Sequence, residues 1–311
     1  MRVIAPFLLT LILLLPMQVN ATSETLWNDA REGVDGGTIS GPSIPVFENM
    51  TETSMTASIT NLQSVIEVYT ATWCQNCVES ETALDDAIAN SKVTRIHYHR
   101  HLFETMDPFG SNSTEDRWVS SYGDASTTIA GQSRLAPAIV FDGERMYMGT
   151  NPKSESLQTD YSTSLAVGSN HPFQAVAEDA HLSLDVVPST NGLTFQWSNT
   201  GLIPAAGSPT TNSVAWILFV EDAAYYPEGS NGVEYYRHVL HEAVMLPEWQ
   251  EGSMEISIPQ TWDGSDMSAV LVLDWEVSTS DPNRTIPAPG VVTLMCMLAA
   301  LVPRRRTHSC S

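Results

Sequence analysis

Two periodicities alternate along the chain from residue 65. Val65-Ile66-Glu67-Val68-Tyr69 is a short β-rich run that carries on through Thr70 to Trp73. Over residues 77–89, Val78, Ala83, Leu84, Ala87 and Ile88 fall at spacings that share one helical face. Residues 93–99 alternate as a strand does. After a loop containing Asp107-Pro108-Phe109-Gly110, residues 113–122 carry a helix-entry pattern, with Ser113 or Thr114 as cap and Glu115 and Asp116 in the first turn. Residues 138–141 predict another strand, Asp142-Gly143 a turn, residues 145–148 its return, and residues 154–167 a closing helix.

Before this core, residues 22–60 are rich in Ser, Thr, Gly and Pro with little periodicity and read as a linker. Beyond it the pattern changes to strands separated by turn residues: 174–187, 193–197, 214–220, 235–246, 254–258 and 269–277. These predict an all-β sandwich of immunoglobulin-like class over residues 172–280. Trp197, Trp216, Trp249, Trp262 and Trp275 are expected as packing residues of that half rather than sugar platforms.

The two ends read as targeting segments. Arg2, an apolar stretch over residues 3–16 and Val19-Asn20-Ala21 make a signal peptide of residues 1–21. Over residues 286–311, Pro287-Ala288-Pro289-Gly290 precedes an apolar run and then Arg304-Arg305-Arg306, which places the arginines on the cytoplasmic side of a membrane. The run is short of the roughly 20 residues a full span wants. It resembles the tripartite tails that bacterial and archaeal sorting enzymes recognise. The expectation is an extracytoplasmic protein held at the cell surface or membrane by this tail. A formal charge of -22 with only two lysines, Lys92 and Lys153, repels phosphate backbones and excludes nucleic acid as a partner.

Only four cysteines occur, Cys74 and Cys77 in the body and Cys296 and Cys310 in the tail, too few for a stapled scaffold. A bridge between Cys74 and Cys77 closes too small a loop to stabilise the fold much, so the pair calls for a chemical reason. At a strand-to-helix junction the first-turn amides and the helix dipole favour a thiolate at Cys74. Cys77, one turn deeper on the same face, can resolve a mixed disulfide.

The string Tyr69-Thr70-Ala71-Thr72-Trp73-Cys74-Gln75-Asn76-Cys77 resembles the active-site region of thioredoxin-like proteins, and Ala136-Pro137 stands before a strand where that family places a cis-proline. The order of predicted elements over residues 61–168 is also the family's. The resemblance implies an α/β thioredoxin-like domain there, with Cys74 attacking, Cys77 resolving, Pro137 shaping a substrate groove and Trp73 covering the pair. A narrower likeness, carried by residues 67–77, Phe219-Val220-Glu221-Asp222 and Tyr236-Arg237-His238-Val239, is to the secreted Omp28-related group. The Asp107-Pro108-Phe109-Gly110-Ser111 loop resembles that of DUF1223 proteins. The chain departs from the thioredoxin pattern at Val68, where the family has a buried acid, while Glu67 points to the opposite face of a regular strand. Gln75-Asn76 replaces Gly-Pro, a change that tunes thiolate stability and redox poise.

The function so implied is extracytoplasmic thiol–disulfide exchange with protein thiols and disulfides, coupled to a redox partner and needing no cofactor. A rival reading uses His97, His99 and His101. Their alternation puts them on one face of a strand, where with Cys74 and Cys77 they could hold copper or zinc. A second rival is a surface binding module built on the β-rich half. His238 and His241 are expected as structural residues, and the sequons at Asn49, Asn112 and Asn283 permit glycosylation. There is no phosphate loop and no nucleophile elbow.

Overall fold

The computed structural model describes residues 26–101, 107–190, 192–206, 208 and 211–277. The expected signal peptide and tail, with Cys296 and Cys310, lie outside them. Among the described residues no helix is long and apolar enough to cross a membrane.

Among the described residues, fifteen strands and three α-helices form one unit. The strands are β1 Asn28–Asp29, β2 Gly36–Pro45, β3 Thr53–Ser58, β4 Ser64–Thr70, β5 Val93–His99, β6 Ala138–Phe141, β7 Arg145–Met148, β8 Phe173–Ala175, β9 His181–Pro188, β10 Leu193–Ser198, β11 Leu202–Pro204, β12 Thr211–Tyr225, β13 Tyr235–Met245, β14 Glu251–Ile256 and β15 Met267–Val277. The helices are α1 Gln75–Ile88, α2 Asn112–Ala130 and α3 Leu157–Val167.

An α/β thioredoxin-like domain followed by a separate immunoglobulin-like sandwich is not what the chain forms. The finding that overturns it is a mixed nine-stranded sheet, ordered β1-β7-β6-β4-β5-β13-β12-β15-β2, that takes strands from both halves. The join is a parallel pairing of β5 with β13 at His97 and Val239. A four-stranded sheet, β14-β10-β9-β3, lies against it, and β8 and β11 pair apart. The stretch expected as a linker supplies β2, which pairs along β15, and β3, which pairs along β9.

This architecture follows from strands that are apolar on both faces. In β12, Ile217 and Phe219 pack into one core with Leu184, Phe195 and Trp197 of the four-stranded sheet, while Leu218 and Val220 face a second core with Trp118 and Tyr122 of α2. β15 repeats the pattern with Leu271 and Leu273 against Val270 and Val272. Continuous apolar runs of this kind mark central strands covered on both sides. A third core joins Ile66 and Val68 of β4 to Leu84 and Ile88 of α1 and Tyr161 of α3.

The helices start where short polar side chains cap them. Ser111, not Ser113 or Thr114, is the cap of α2, accepting from the Thr114 amide in a capping box, and Ser156 accepts from the Thr159 amide at 3.1 Å to open α3. Each such cap is worth about 0.5–2 kcal/mol. Asp142 and Gly143 both adopt positive φ, at 53° and 65°, which makes the tight β6–β7 turn.

Candidate functional site

β4 ends at Thr70, and the turn Ala71-Thr72-Trp73 leads to Cys74, whose amide donates to the Ala71 carbonyl at 3.0 Å. Cys74 is the N-cap of α1, and its Sγ accepts from the Cys77 amide at 3.2 Å. A sulfur in the cap position meets an otherwise unpaired first-turn amide and the positive end of the helix dipole. Both favour a thiolate over a thiol at Cys74. The two cysteines form a disulfide; Cys77 is fully buried and Cys74 retains 7 % exposure. The pair packs with Ala71, Trp73 and Ala136, and the Ala136–Pro137 bond is cis. Cys74, Cys77, Trp73 and the Pro137 segment are therefore brought together.

The turn before Cys74 is held from two sides. Asp107 accepts from the Thr72 amide at 2.8 Å, from His99 Nδ1 at 3.1 Å and from the Phe109 amide at 3.1 Å. Burial pushes its carboxyl up, but His99 and the two amides outweigh this and hold it below the usual carboxylate range. On the other side, the β12–β13 connection brings the Asn231 amide, and the start of β13 the Tyr236 hydroxyl, to the Thr72 carbonyl, each at 3.2 Å. Asn231 Nδ2 donates to the Ala71 carbonyl at 3.4 Å, and Gln75 Nε2 to the Ser230 carbonyl at 2.7 Å.

One turn past Cys77, Glu81 accepts from Thr70 Oγ1 at 2.6 Å, and its other oxygen lies 3.7 Å from His97 Nδ1. Burial raises the Glu81 carboxyl above its ordinary value, partly offset by the Thr70 bond. His97 is buried, and burial followed by the charge of Arg95 holds its imidazole well below the usual range.

The histidine array does not assemble as a metal centre. His97 faces Glu81 and packs edge-on to His238, His99 is paired with Asp107, and His101 follows the end of β5 with its amide on Glu115. Among the described residues no group of three His, Cys, Asp or Glu side chains is placed to hold a metal ion. His238 and His241 sit at an irregular stretch of β13. β13 bulges opposite Phe219 and Val220, His238 has a φ of 56°, and His241 bonds Glu221 at 2.6 Å.

Sequence reasoning did not identify Glu81, Asp107, Asn231 and Tyr236 as parts of the site. Glu81 was within reach of helical spacing from Cys77. Asn231 and Tyr236 lie some 160 positions from the residues they hold, beyond any local signal.

No protein-family model matches the chain, and no curated protein matches it. Among solved structures, the chain is similar in part to a structural-genomics protein from Agrobacterium tumefaciens, at 12% identity over 68% of this chain and 92% of that one, with a TM-score of 0.37. It is likewise similar to HBP35 of Porphyromonas gingivalis, at 14% identity over 68% of this chain and 63% of that one, with a TM-score of 0.37.

Proposed function

We propose that the Cys74–Cys77 pair carries out thiol–disulfide exchange with proteins outside the cytoplasm. The observation that carries this reading is the cap geometry: a slightly exposed Cys74 sulfur accepts a first-turn amide, while its disulfide partner Cys77 is sealed beneath it. In the reducing direction the Cys74 thiolate attacks one sulfur of a substrate disulfide. A Cys74–substrate disulfide forms and the other substrate sulfur leaves as a thiolate. Cys77 gives up its proton, attacks Cys74 Sγ, restores the intramolecular disulfide and releases the second substrate thiol. Two electrons pass from the dithiol to the substrate, and the oxidising direction is the reverse.

We assign to Glu81, one helical turn past Cys77, the role of receiving the Cys77 proton. Burial holds its pKa up, which makes it a better proton acceptor than an exposed glutamate. Trp73 covers the pair, and the Pro137 segment flanks it where an extended substrate would lie. The signal peptide and tail read from the sequence place this chemistry on the outer side of a membrane, in contact with secreted or surface proteins and a redox partner.

The test is the reduction potential of the purified full-length protein, equilibrated in glutathione or dithiothreitol buffers. A reversible two-electron transition between roughly -270 and -120 mV is expected, and its position gives the direction. A pair that does not cycle in those buffers would sink the reading.

A further inference from the structure

The connection from β2 to β3 is a surface turn pinned at both ends. Val46 and Met50 are buried in the core that Ile217 and Phe219 share with the four-stranded sheet. The Val46 amide donates to the Met267 carbonyl at 2.9 Å, and the Met50 amide closes the turn on the Phe47 carbonyl at 3.4 Å. The residues between, Phe47, Glu48 and Asn49, are therefore turned out and exposed. Asn49 has a φ of 64°, a conformation that asparagine tolerates better than most residues. The turn explains the asparagine; the threonine two positions on is what makes Asn49-Met50-Thr51 an acceptor for N-glycosylation. Thr51 is exposed and uses its carbonyl, which accepts from Thr53 Oγ1 at 3.0 Å. Among the described residues its hydroxyl and the Asn49 carboxamide are bound to nothing.

The triplet at Asn112 is held differently. Asn112 is the first residue of α2, and Thr114, the threonine of its triplet, is fully buried. The Thr114 hydroxyl donates to the Ser111 carbonyl at 3.0 Å and accepts from the Ser111 amide at 3.2 Å, while Ser113 Oγ accepts from the Ala243 amide at 3.2 Å. A transferase that must reach both the carboxamide and the hydroxyl of an acceptor finds them free at Asn49 and Thr51, and finds the hydroxyl engaged at Thr114. Phe47 adds a second feature to the free triplet. It stands two positions before Asn49 on the same turn, is 47 % exposed, and lines an open groove with Ile258 and Pro259. The face of a phenyl ring is negative and attracts the partly positive C–H bonds of a sugar ring.

We propose that Asn49 carries an N-linked glycan whose first sugar packs on Phe47, and that the folded chain withholds Asn112 from the same modification. The proposal goes beyond the exchange reading and rests on its placement of the chain outside the cytoplasm. The donor is a lipid-phosphate-linked oligosaccharide. Asn49 Nδ2 forms a bond to the anomeric carbon of the sugar, the bond from that carbon to the phosphate oxygen breaks, the lipid phosphate leaves, and the nitrogen gives up one proton. No electrons are exchanged.

The experiment isolates the protein from the cells that make it, determines its N-terminus and maps its proteolytic peptides by mass spectrometry. A chain that has lost residues 1–21 is expected, with the mass of one or more sugars on the peptide that holds Asn49 and none on the peptide that holds Asn112. Thr51→Ala, which leaves the asparagine of the turn in place, removes the added mass. Its melting temperature falls about 2–4 °C below that of the wild type. In a Phe47→Ser background the same substitution lowers the melting temperature by less than half as much, because the surface that the sugar covers is gone. An exported chain with a bare Asn49, or with Asn112 modified as fully as Asn49, overturns this proposal and leaves the placement standing. A chain that keeps residues 1–21 and resists protease added to intact cells overturns the placement and the proposal with it. An equal fall in the two backgrounds overturns the contact with Phe47.

Discussion

Arg117 of α2 and Asp274 of β15, 157 positions apart, are joined by two hydrogen bonds, Nη1 to Oδ2 at 3.0 Å and Nη2 to Oδ1 at 3.3 Å. The same guanidinium reaches Glu67 of β4 at 3.2 Å, and Arg31 meets Asp274 from the other side at 3.2 Å. Tyr98 donates to Glu67 at 2.6 Å, Tyr122 also donates to it, and Thr38 Oγ1 donates to Asp274 at 2.7 Å. Burial alone would lower the Arg117 pKa, but Asp274 and its other partners hold it well above the ordinary value. Removing one member of such a buried cluster strands the others. Arg117→Met is therefore expected to cost about 3–5 kcal/mol, read as a lower urea midpoint with an unchanged slope. A loss within ±0.5 kcal/mol, ordinary for a surface position, would show that the cluster is not holding the two halves together.

That cluster also explains how the sequence misled about the fold. The runs at 65–69, 93–99, 138–141 and 145–148 form β4, β5, β6 and β7, and the helical spacing after Cys77 forms α1, because each is set by local periodicity. What period-2 and period-3.6 patterns do not carry is which element covers which. Leu218 and Val220 read as one face of a sandwich strand, yet their cover is α2, an element of the other half. Residues 36–45 lack apolar alternation because Thr38 and Ser40 are buried through hydrogen bonds, Thr38 to Asp274 and Ser40 to Thr94. At the site, the cysteines were legible from their spacing. The clamp from Asn231 and Tyr236 was not, since it depends on the long-range join of β5 to β13.

The roles of the two cysteines differ in a way that single substitutions separate. Cys77→Ser leaves Cys74 as a slightly exposed thiol with nothing to resolve it, so mixed disulfides with substrate proteins are expected to accumulate on non-reducing gels. Cys74→Ser leaves only a sulfur sealed in the core, and no adducts should form. Adducts from both variants in equal amount would contradict the assignment of attacking and resolving thiols.

Tyr236 gives a test of the clamp that leaves the cysteines untouched. Its hydroxyl donates to Asn231 Oδ1 at 2.7 Å and reaches the Thr72 carbonyl at 3.2 Å. Tyr236→Phe keeps the ring against Phe109 and His99 but removes both bonds, at a cost of about 1–2 kcal/mol. The loss should be local. Amide exchange at residues 72–77 is expected to speed up while exchange in β12 and β15 holds, and uniform acceleration everywhere would mean that the hydroxyl serves the fold as a whole.

His238 sets an acid limit on stability. Burial, then the charge of Arg95, lowers its pKa from 6.5 to about 4, with Arg237 adding to the fall and Asp222 and Asp85 opposing it. Its ring packs edge-on to His97, which burial also depresses. A histidine depressed in the folded state binds its proton more readily when unfolded. Its stabilising contribution is therefore complete above the unfolded pKa of about 6.5 and is lost as pH falls toward about 4. The loss for this one group is on the order of 2–3 kcal/mol. Other groups titrate in the same range, so the measurement is a difference between two proteins. His238→Asn is the suitable partner, because asparagine tolerates the 56° φ at this position and does not titrate. In urea unfolding the wild type should lose stability relative to His238→Asn on going from pH 7 to pH 4.5. Parallel pH profiles would show that the imidazole is not the group that the fold keeps neutral.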